Sequence, residues 1–303
     1  MAAHVRLASA PINWGIESPD GESNPSVDEL LQNTAEAGYT GFELGPLFFL
    51  GASAEAISQK LNQYGLDSVA YWVAVPLEQP FGGAVEVEVR EALATLKAID
   101  ADVLIVSDFG DERRLEIVSR VEEFPDSWWT DDDWAEVRRS FEAIAALGAE
   151  YGIPIAMHPH VGGHIESGRE IERALEAIDG TPVTVCLDTG HIRIGGIDSI
   201  PLLRRLGGRV THIHAKDVEP NLLARLQSGE IDYFTAVGQG LYCDLGEGIV
   251  DWTGFAEAID EIGFDGWVVA EEDQILVPGR QAPFESNTKN RAFLANLLGV
   301  SDS

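Results

Sequence analysis

The amino-acid sequence predicts a (β/α)8 TIM barrel, an α/β fold, in a single domain over 1–303, and three observations carry that expectation. Four runs of β-forming residues end in nitrogen or oxygen donors: IPIAMHPH in His158 and His160, VTVCLDTGHIRIGG in Asp188 and His191, THIHAKD in His212 and His214, and GWVVAEED in Glu271 and Glu272. In a barrel of parallel strands the chemistry collects at the C-terminal strand ends, and several strands contribute. Strand-like and helix-like stretches also alternate along the chain, the pattern of a parallel sheet with helical crossovers. Finally, 303 residues with 45% hydrophobic content suit one barrel of about 250 residues with long loops better than two separate cores.

HVRLASAPI reads as the first strand, and it delivers Asn13 and Trp14 as candidate substrate-binding residues. Ser26 is the expected N-cap of an amphipathic helix that runs through Glu36 and stops at Gly38. TGFELGP is a short second strand whose Glu43 is a candidate substrate contact or a cap of the next turn. A helix from Ala54 to Tyr64 ends at Gly65, and LDSVAYWVAV supplies a third strand with Trp72 near its mouth as a further substrate-binding candidate. After a Pro/Gly loop through Gly83, a helix from Val85 to Ile99 leads into the fourth strand, ADVLIVSD.

The loop over 108–131 is longer than a usual βα connection. Within it Trp128 and Trp129 precede Thr130-Asp131-Asp132-Asp133, an N-cap with an acidic first turn. The two indoles are expected to tuck under the loop as a local apolar cluster, with stacking on a substrate ring as the alternative. Helices Asp132–Tyr151, Arg169–Ile178 and Ile197–Leu206 lead to the strands of His158, Asp188 and His214 respectively. A second long loop over 218–250 holds a short helix, Asn221–Leu226, and the Gly-rich GQGLYCDLGEGIVDW. No strand-loop-helix unit with Lys-Ser/Thr surrounds these glycines, so the segment reads as a lid and not as a phosphate loop. Trp252–Ile262, the strand GWVVAE and a closing helix near Asn287–Leu298 complete eight strand-helix pairs.

His212 and His214 alternate with Thr211, Ile213 and Ala215, so both imidazoles point to the same side of a strand. Asp188 closes its strand and His191 follows three residues on. Two carboxylates with one or two imidazoles suit Mn²⁺, Co²⁺, Fe²⁺ or Zn²⁺ better than Ca²⁺ or Mg²⁺, which prefer oxygen alone, and no thiolate is expected to join them. Cys186 lies in an apolar strand and Cys243 in a loop, and the absence of a C-x-x-C pattern favours a reducing compartment. The net charge of −31 argues against a nucleic-acid partner, because phosphate contact needs a basic footprint. No run of eighteen apolar residues and no secretion signal in the first twelve residues point to a cytoplasmic protein with no membrane contact.

APINWGIE, FELGP, WWTDDDW, HPHVGG, LDTGH, HIHAKDV, the FTAVGQG to GEGIVDW region and GWVVAEED resemble, in order and spacing, the inosose dehydratase family of the xylose-isomerase-like barrel superfamily, from about residue 5 to about residue 298. The resemblance implies a metal-dependent dehydratase that takes water from a cyclic keto-polyol of the 2-keto-myo-inositol type by α-proton abstraction and loss of the β-hydroxyl. Carried over by position, the metal ligands fall on Asp188, His214 and Glu271, and Mn²⁺ or Co²⁺ is the expected ion. The first ligand, usually a Glu at the end of the fifth strand, falls on His158, ranked ahead of His160 and Glu166. His191, His160, Lys216 and Glu272 are the acid-base candidates. Lys216 has the alternative of pairing with Asp217 or a strand-end carboxylate, Glu272 that of facing away by alternation, and His212 is expected to pack behind the ligands. The alternatives are a keto-sugar isomerase or epimerase, a lyase acting on oxidised glycosides, or a non-catalytic sugar-binding barrel. The expected partner is a small polyol or keto-sugar, with homo-oligomerisation left open.

Overall fold

The computed structural model describes residues 4–16, 24–45, 49–275 and 283–301; Glu17 of APINWGIE and Pro46 of FELGP lie outside the described residues. The strands are β1 (His4–Ser9), β2 (Gly41–Phe42), β3 (Asp67–Ser68), β4 (Ala70–Val75), β5 (Val103–Asp108), β6 (Ile155–Met157), β7 (Thr184–Asp188), β8 (Val210–Ala215), β9 (Asp217–Val218), β10 (Tyr242–Cys243) and β11 (Asp265–Ala270). The helices are α1 (Val27–Glu36), α2 (Ala54–Gln63), α3 (Gly83–Ala98), α4 (Glu112–Glu116), α5 (Asp131–Tyr151), α6 (Gly168–Ala177), α7 (Thr189–Ile194), α8 (Ser199–Leu206), α9 (Pro220–Gln227), α10 (Tyr233–Gln239), α11 (Trp252–Ile262) and α12 (Pro283–Leu298).

The main sheet is parallel and runs β3-β2-β1-β11-β8-β7-β6-β5-β4. Its two outermost pieces, β3 and β4, are consecutive parts of one strand separated by Val69. The Val69 N–H donates to Phe42 O at 3.1 Å while Val69 O accepts from Asp102 N at 3.0 Å, so this strand is bonded on both sides and the sheet closes into a barrel. The expected TIM barrel is therefore the fold, with LDSVAYWVAV as the strand that joins the two edges.

Alternation along the strands divides the side chains into two sets. Outward residues such as Leu7, Val73, Val106, Leu187 and Ile213 pack under the helices, which bury apolar stripes such as Ile171, Ala174 and Leu175 of α6. The inward set is small: Ala8, Ala70, Ile105, Ala156, Cys186 and Val269 surround the one large ring, Trp267. Trp267 fills the lower barrel, with the Arg6 guanidinium 4.2 Å over its ring and its indole N–H donated to Asp102. Above this floor, the inward positions at the ends of β5, β6, β7, β8 and β11 are polar: Ser107, His158, Asp188, His214 and Glu271.

The boundaries depart from the sequence expectation where local chemistry overrides pattern. β1 stops at Ser9 and a 3-10 turn forms over Pro11–Trp14, because proline supplies no N–H to a ladder and its fixed φ suits the start of a helical turn. The residues after Asp188 are a helix and not a loop: the Asp188 carboxylate accepts the Gly190 and His191 N–H groups at 2.7 Å each and caps α7. α8 begins later than expected, behind its Asp198 cap, α12 begins at Pro283, and the lid holds an additional helix, α10. Trp128 lies under Arg169 at 3.6 Å and donates to Val121 O, while Trp129 stacks on His164 at 4.6 Å, so both indoles tuck in as expected. Among the described residues no helix is long and apolar enough to cross a membrane.

Gly41 faces the barrel floor, and a Cβ there would lie 2.6 Å from both the Trp267 ring and Val69. Gly41→Ala is expected to cost about 1–3 kcal/mol through overpacking, read as a lower urea midpoint. An unchanged midpoint would show that the floor can rearrange without cost.

Candidate active site

Inward residues at the ends of β7, β8 and β11 converge on one point. His214 Nδ1 lies 3.1 Å from Glu271 Oε2 and 3.7 Å from Asp188 Oδ2. Among the described residues, His214 Nδ1 and Asp188 Oδ2 are buried without a hydrogen-bond partner. Buried polar atoms are normally paired, so two such atoms beside a third donor mark a place for a cation. The donor atoms of Asp188, His214 and Glu271 all lie within 4.8 Å of one another.

The opposite nitrogen of His214 is held from behind. Glu43 Oε1 accepts from His212 Nε2 at 2.7 Å and from His214 Nε2 at 3.0 Å, so the Nδ1 edge of His214 is turned toward Asp188 and Glu271. A carboxylate that orients a ligating imidazole in this way is the usual outer support of a metal site. Burial alone would raise the Glu43 pKa, but the facing His214 and His212 hold it well below the ordinary range. Burial likewise opposes ionisation of Glu271, yet His214 and Lys216 keep its pKa at about 2.

Three further imidazoles close the site. His158 follows β6, with its ring centroid 4.8 Å from that of His214 and its Nδ1 3.4 Å from Cys186 O. His160 donates from Nδ1 to Val161 O at 2.7 Å, and its ring lies 3.9 Å from that of His191. Burial lowers the pKa of His158, His160 and His191, and neighbouring positive groups lower it further, so all three are neutral near pH 7. Neutral imidazoles are the forms that accept a proton or ligate a metal.

Lys216 reaches into the same space. Its ammonium lies 2.7 Å from Asp273 Oδ1, 3.3 Å from Glu271 Oε2, 3.4 Å from Asp188 Oδ2 and 3.0 Å from His191 Nε2. Burial works against this charge, but Asp188, Asp273 and Glu271 raise its pKa well above the ordinary lysine value. Trp72, 40% exposed on the inward face of β4, borders His160 at 6.0 Å and is fixed by donating to Ser107 Oγ at 2.8 Å. It is the one expected substrate contact with an open ring face at the mouth.

Other expected site residues are placed elsewhere. Asn13 donates to Ser9 Oγ, Ala270 O and Asn287 Oδ1 and accepts from Glu272 N at 2.6 Å, so its amide is used in tying β1, β11 and α12 together. Trp14 is buried in the core against Phe42 at 6.5 Å. Glu43 supports histidines and contacts no open space. Glu272 points the other way from Glu271, to Ser286 on α12, as strand alternation requires. Glu166 accepts from Gly162 N at 2.8 Å and Ser119 N at 2.6 Å and serves the loops outside the donor cluster. Lys216 pairs with Asp273 and with the strand-end carboxylates Asp188 and Glu271, the second of its two expected alternatives, and not with Asp217. Asp217 instead accepts from Gly246 N, Gly248 N, Val250 N and Trp252 Nε1, which fastens the lid.

Three residues enter the site that the motifs did not single out. Asp273 and Cys186 each sit two positions from a donor, on the same inward face, and period-two alternation identifies both. Cys186 brings its sulfur beside His158 and His214, and burial pushes its thiol up to about 11. Tyr242, whose hydroxyl lies 3.1 Å from His191 Nδ1, arrives from the lid, and no local pattern announces it.

The family profile described as xylose isomerase-like TIM barrel matches residues 31–289. An inosose dehydratase of Geobacillus kaustophilus (strain HTA426) is 28% identical over 271 residues, covering 89% of this chain and 87% of that protein. A structure of L-ribulose 3-epimerase superposes with a TM-score of 0.70 at 15% identity, covering 97% of this chain and 95% of the other. The IOLI protein with a binding zinc atom superposes at 0.68 and 15%, covering 97% and 98%.

Burial pushes the Glu166 carboxyl up to about 7, against an ordinary 4.5, and the two N–H donors only partly offset this. The native state therefore holds this proton more tightly than the unfolded chain, and its contribution to stability falls as pH rises from about 4.5 to about 7. Glu166→Gln is expected to remove that fall, so that the Tm of the variant gains on that of the native chain across this window. Parallel Tm–pH curves would assign the effect to other groups.

Proposed function

The chain belongs to the xylose isomerase-like TIM barrel family, and we propose that it is a metal-dependent hydro-lyase that removes water from a cyclic keto-polyol of the 2-keto-myo-inositol type. The observation that carries this reading is the convergence of Asp188 Oδ2, His214 Nδ1 and Glu271 Oε2, the first two buried without a well-formed hydrogen bond, within reach of a neutral imidazole and a buried ammonium. The likeness to an inosose dehydratase over most of both chains supports the same substrate class.

Asp188, His214 and Glu271 would hold the ion, with His158 as the fourth ligand. Two carboxylates and two imidazoles favour Mn²⁺, Co²⁺, Fe²⁺ or Zn²⁺, of which Mn²⁺ or Co²⁺ is our choice. When bound, the ion supplies electrophilic stabilisation of the negative charge that develops on the substrate oxygen.

The protein's own groups move the protons. His191 Nε2 accepts the proton α to the ketone, and the C–H electron pair becomes the enolate π bond. That electron pair then expels the β-hydroxyl as the C–O bond breaks, and Lys216 donates the proton that makes the leaving group water. The proton on His191 returns to Lys216 across their 3.0 Å contact, which restores both groups. His160 borders His191 as a second neutral acceptor, and Trp72 offers its ring face to the apolar side of the cyclic substrate.

Incubation of Mn²⁺- or Co²⁺-loaded protein with 2-keto-myo-inositol is expected to give the absorbance of a conjugated dione, lost on chelation. Exchange of the α proton into D₂O without that absorbance would replace dehydration by keto-sugar epimerisation, the reaction named for the L-ribulose 3-epimerase. Asp188→Asn and Glu271→Gln are expected to abolish Mn²⁺ binding by titration calorimetry and to lower turnover at least about 100-fold with unchanged circular dichroism. Native-like binding in both variants would move the ion elsewhere.

A further inference from the structure

A hydrogen-bonded chain leads from the lid into the site. Tyr233 of α10 and Tyr242 of β10 are buried, with their hydroxyls 3.0 Å apart. The Tyr242 hydroxyl lies 3.1 Å from His191 Nδ1, His191 Nε2 lies 3.0 Å from Lys216 Nζ, and Lys216 donates to Asp273 Oδ1 at 2.7 Å. The direction of each bond follows from what the ends can do. An ammonium has donors and no lone pair, so His191 Nε2 accepts from Lys216. A neutral imidazole that accepts at Nε2 carries its hydrogen on Nδ1 and donates it to Tyr242 Oη, whose hydroxyl is also bonded to that of Tyr233.

Resting on the dehydratase reading above, we infer that Tyr242 is a positioning residue: its hydroxyl, delivered by the lid, fixes the Nδ1–H tautomer of His191 and so keeps Nε2 as the proton acceptor toward substrate. Without that hydroxyl the Nδ1–H is buried with no acceptor at this place, which disfavours the tautomer that catalysis needs. The competing tautomer places a hydrogen on Nε2, against the Lys216 donors. Tyr242 lies in β10, paired with Val218 beside Asp217, and Asp217 holds the backbone that follows over 246–250, so the Tyr242 hydroxyl is carried by an anchored segment.

The test uses the full chain. Tyr242→Phe is expected to lower kcat roughly 10- to 100-fold, within the range of acid-base contributions, while KM stays within about twofold. Long-range ¹⁵N–¹H correlation on chelated, ¹⁵N-histidine-labelled protein reads the tautomer directly, with His191→Gln identifying the signal among the seven histidines. The native chain is expected to show protonated Nδ1, and Tyr242→Phe a mixture. Tyr233→Phe, which removes the hydroxyl bonded to that of Tyr242, should shift the tautomer the same way with a smaller loss of kcat, and it serves should Tyr242→Phe not fold. Unchanged kcat with an unchanged tautomer in these variants would overturn the inference while native turnover upholds the dehydratase. Absence of native turnover would overturn the dehydratase, while the tautomer signal still decides the role of Tyr242.

Discussion

A lysine ammonium buried among three carboxylates is the constraint around which the upper barrel is arranged. An unpaired charge in this position would be prohibitive, and Lys216 is tolerated because Asp188, Glu271 and Asp273 converge on it. That convergence requires β7 and β11 to end at the same height on either side of β8. It also requires room for the lysine stem beside α7, where a Cβ on Gly190 would lie 2.7–3.1 Å from Lys216 carbons. The glycine of LDTGH is therefore a steric condition for the lysine of HIHAKD.

The neighbouring residue on the same segment does a different task. Lys216 points into the barrel, while Asp217 turns to the lid and gathers four N–H groups from 246–252. A register slip of one residue would exchange the two, placing a carboxylate among carboxylates and a cation among N–H donors. The pair thus specifies the register of β8 as strongly as its apolar residues do.

Much of this was legible in the sequence because it is periodic. Alternation along VTVCLD, THIHAK and WVVAEED predicts which of Glu271 and Glu272, or of His212 and Ile213, faces inward, and the same rule reaches Asp273 and Cys186. Fold class followed from the alternating elements and the donors at strand ends. What sequence pattern does not carry is contact between distant segments. Glu43 behind the histidines, Asn13 across β1 and β11, and Tyr242 against His191 are separated from their partners by 171, 257 and 51 positions, respectively. Asn13 and Trp14 looked like site residues because they follow a strand, but the 3-10 turn at Pro11 carries one into a structural knot and the other into the core.

Among the described residues, Trp267 fills the lower end of the barrel axis. Its ring, sealed beneath by Arg6 and Asp102 and surrounded by small side chains, occupies the axis below the donors. A small molecule that reaches the donors therefore enters and leaves at the upper end of the barrel, past Trp72 and the 218–250 segment. One end serves both directions, so a molecule held at the donors blocks the approach of a second until it has left.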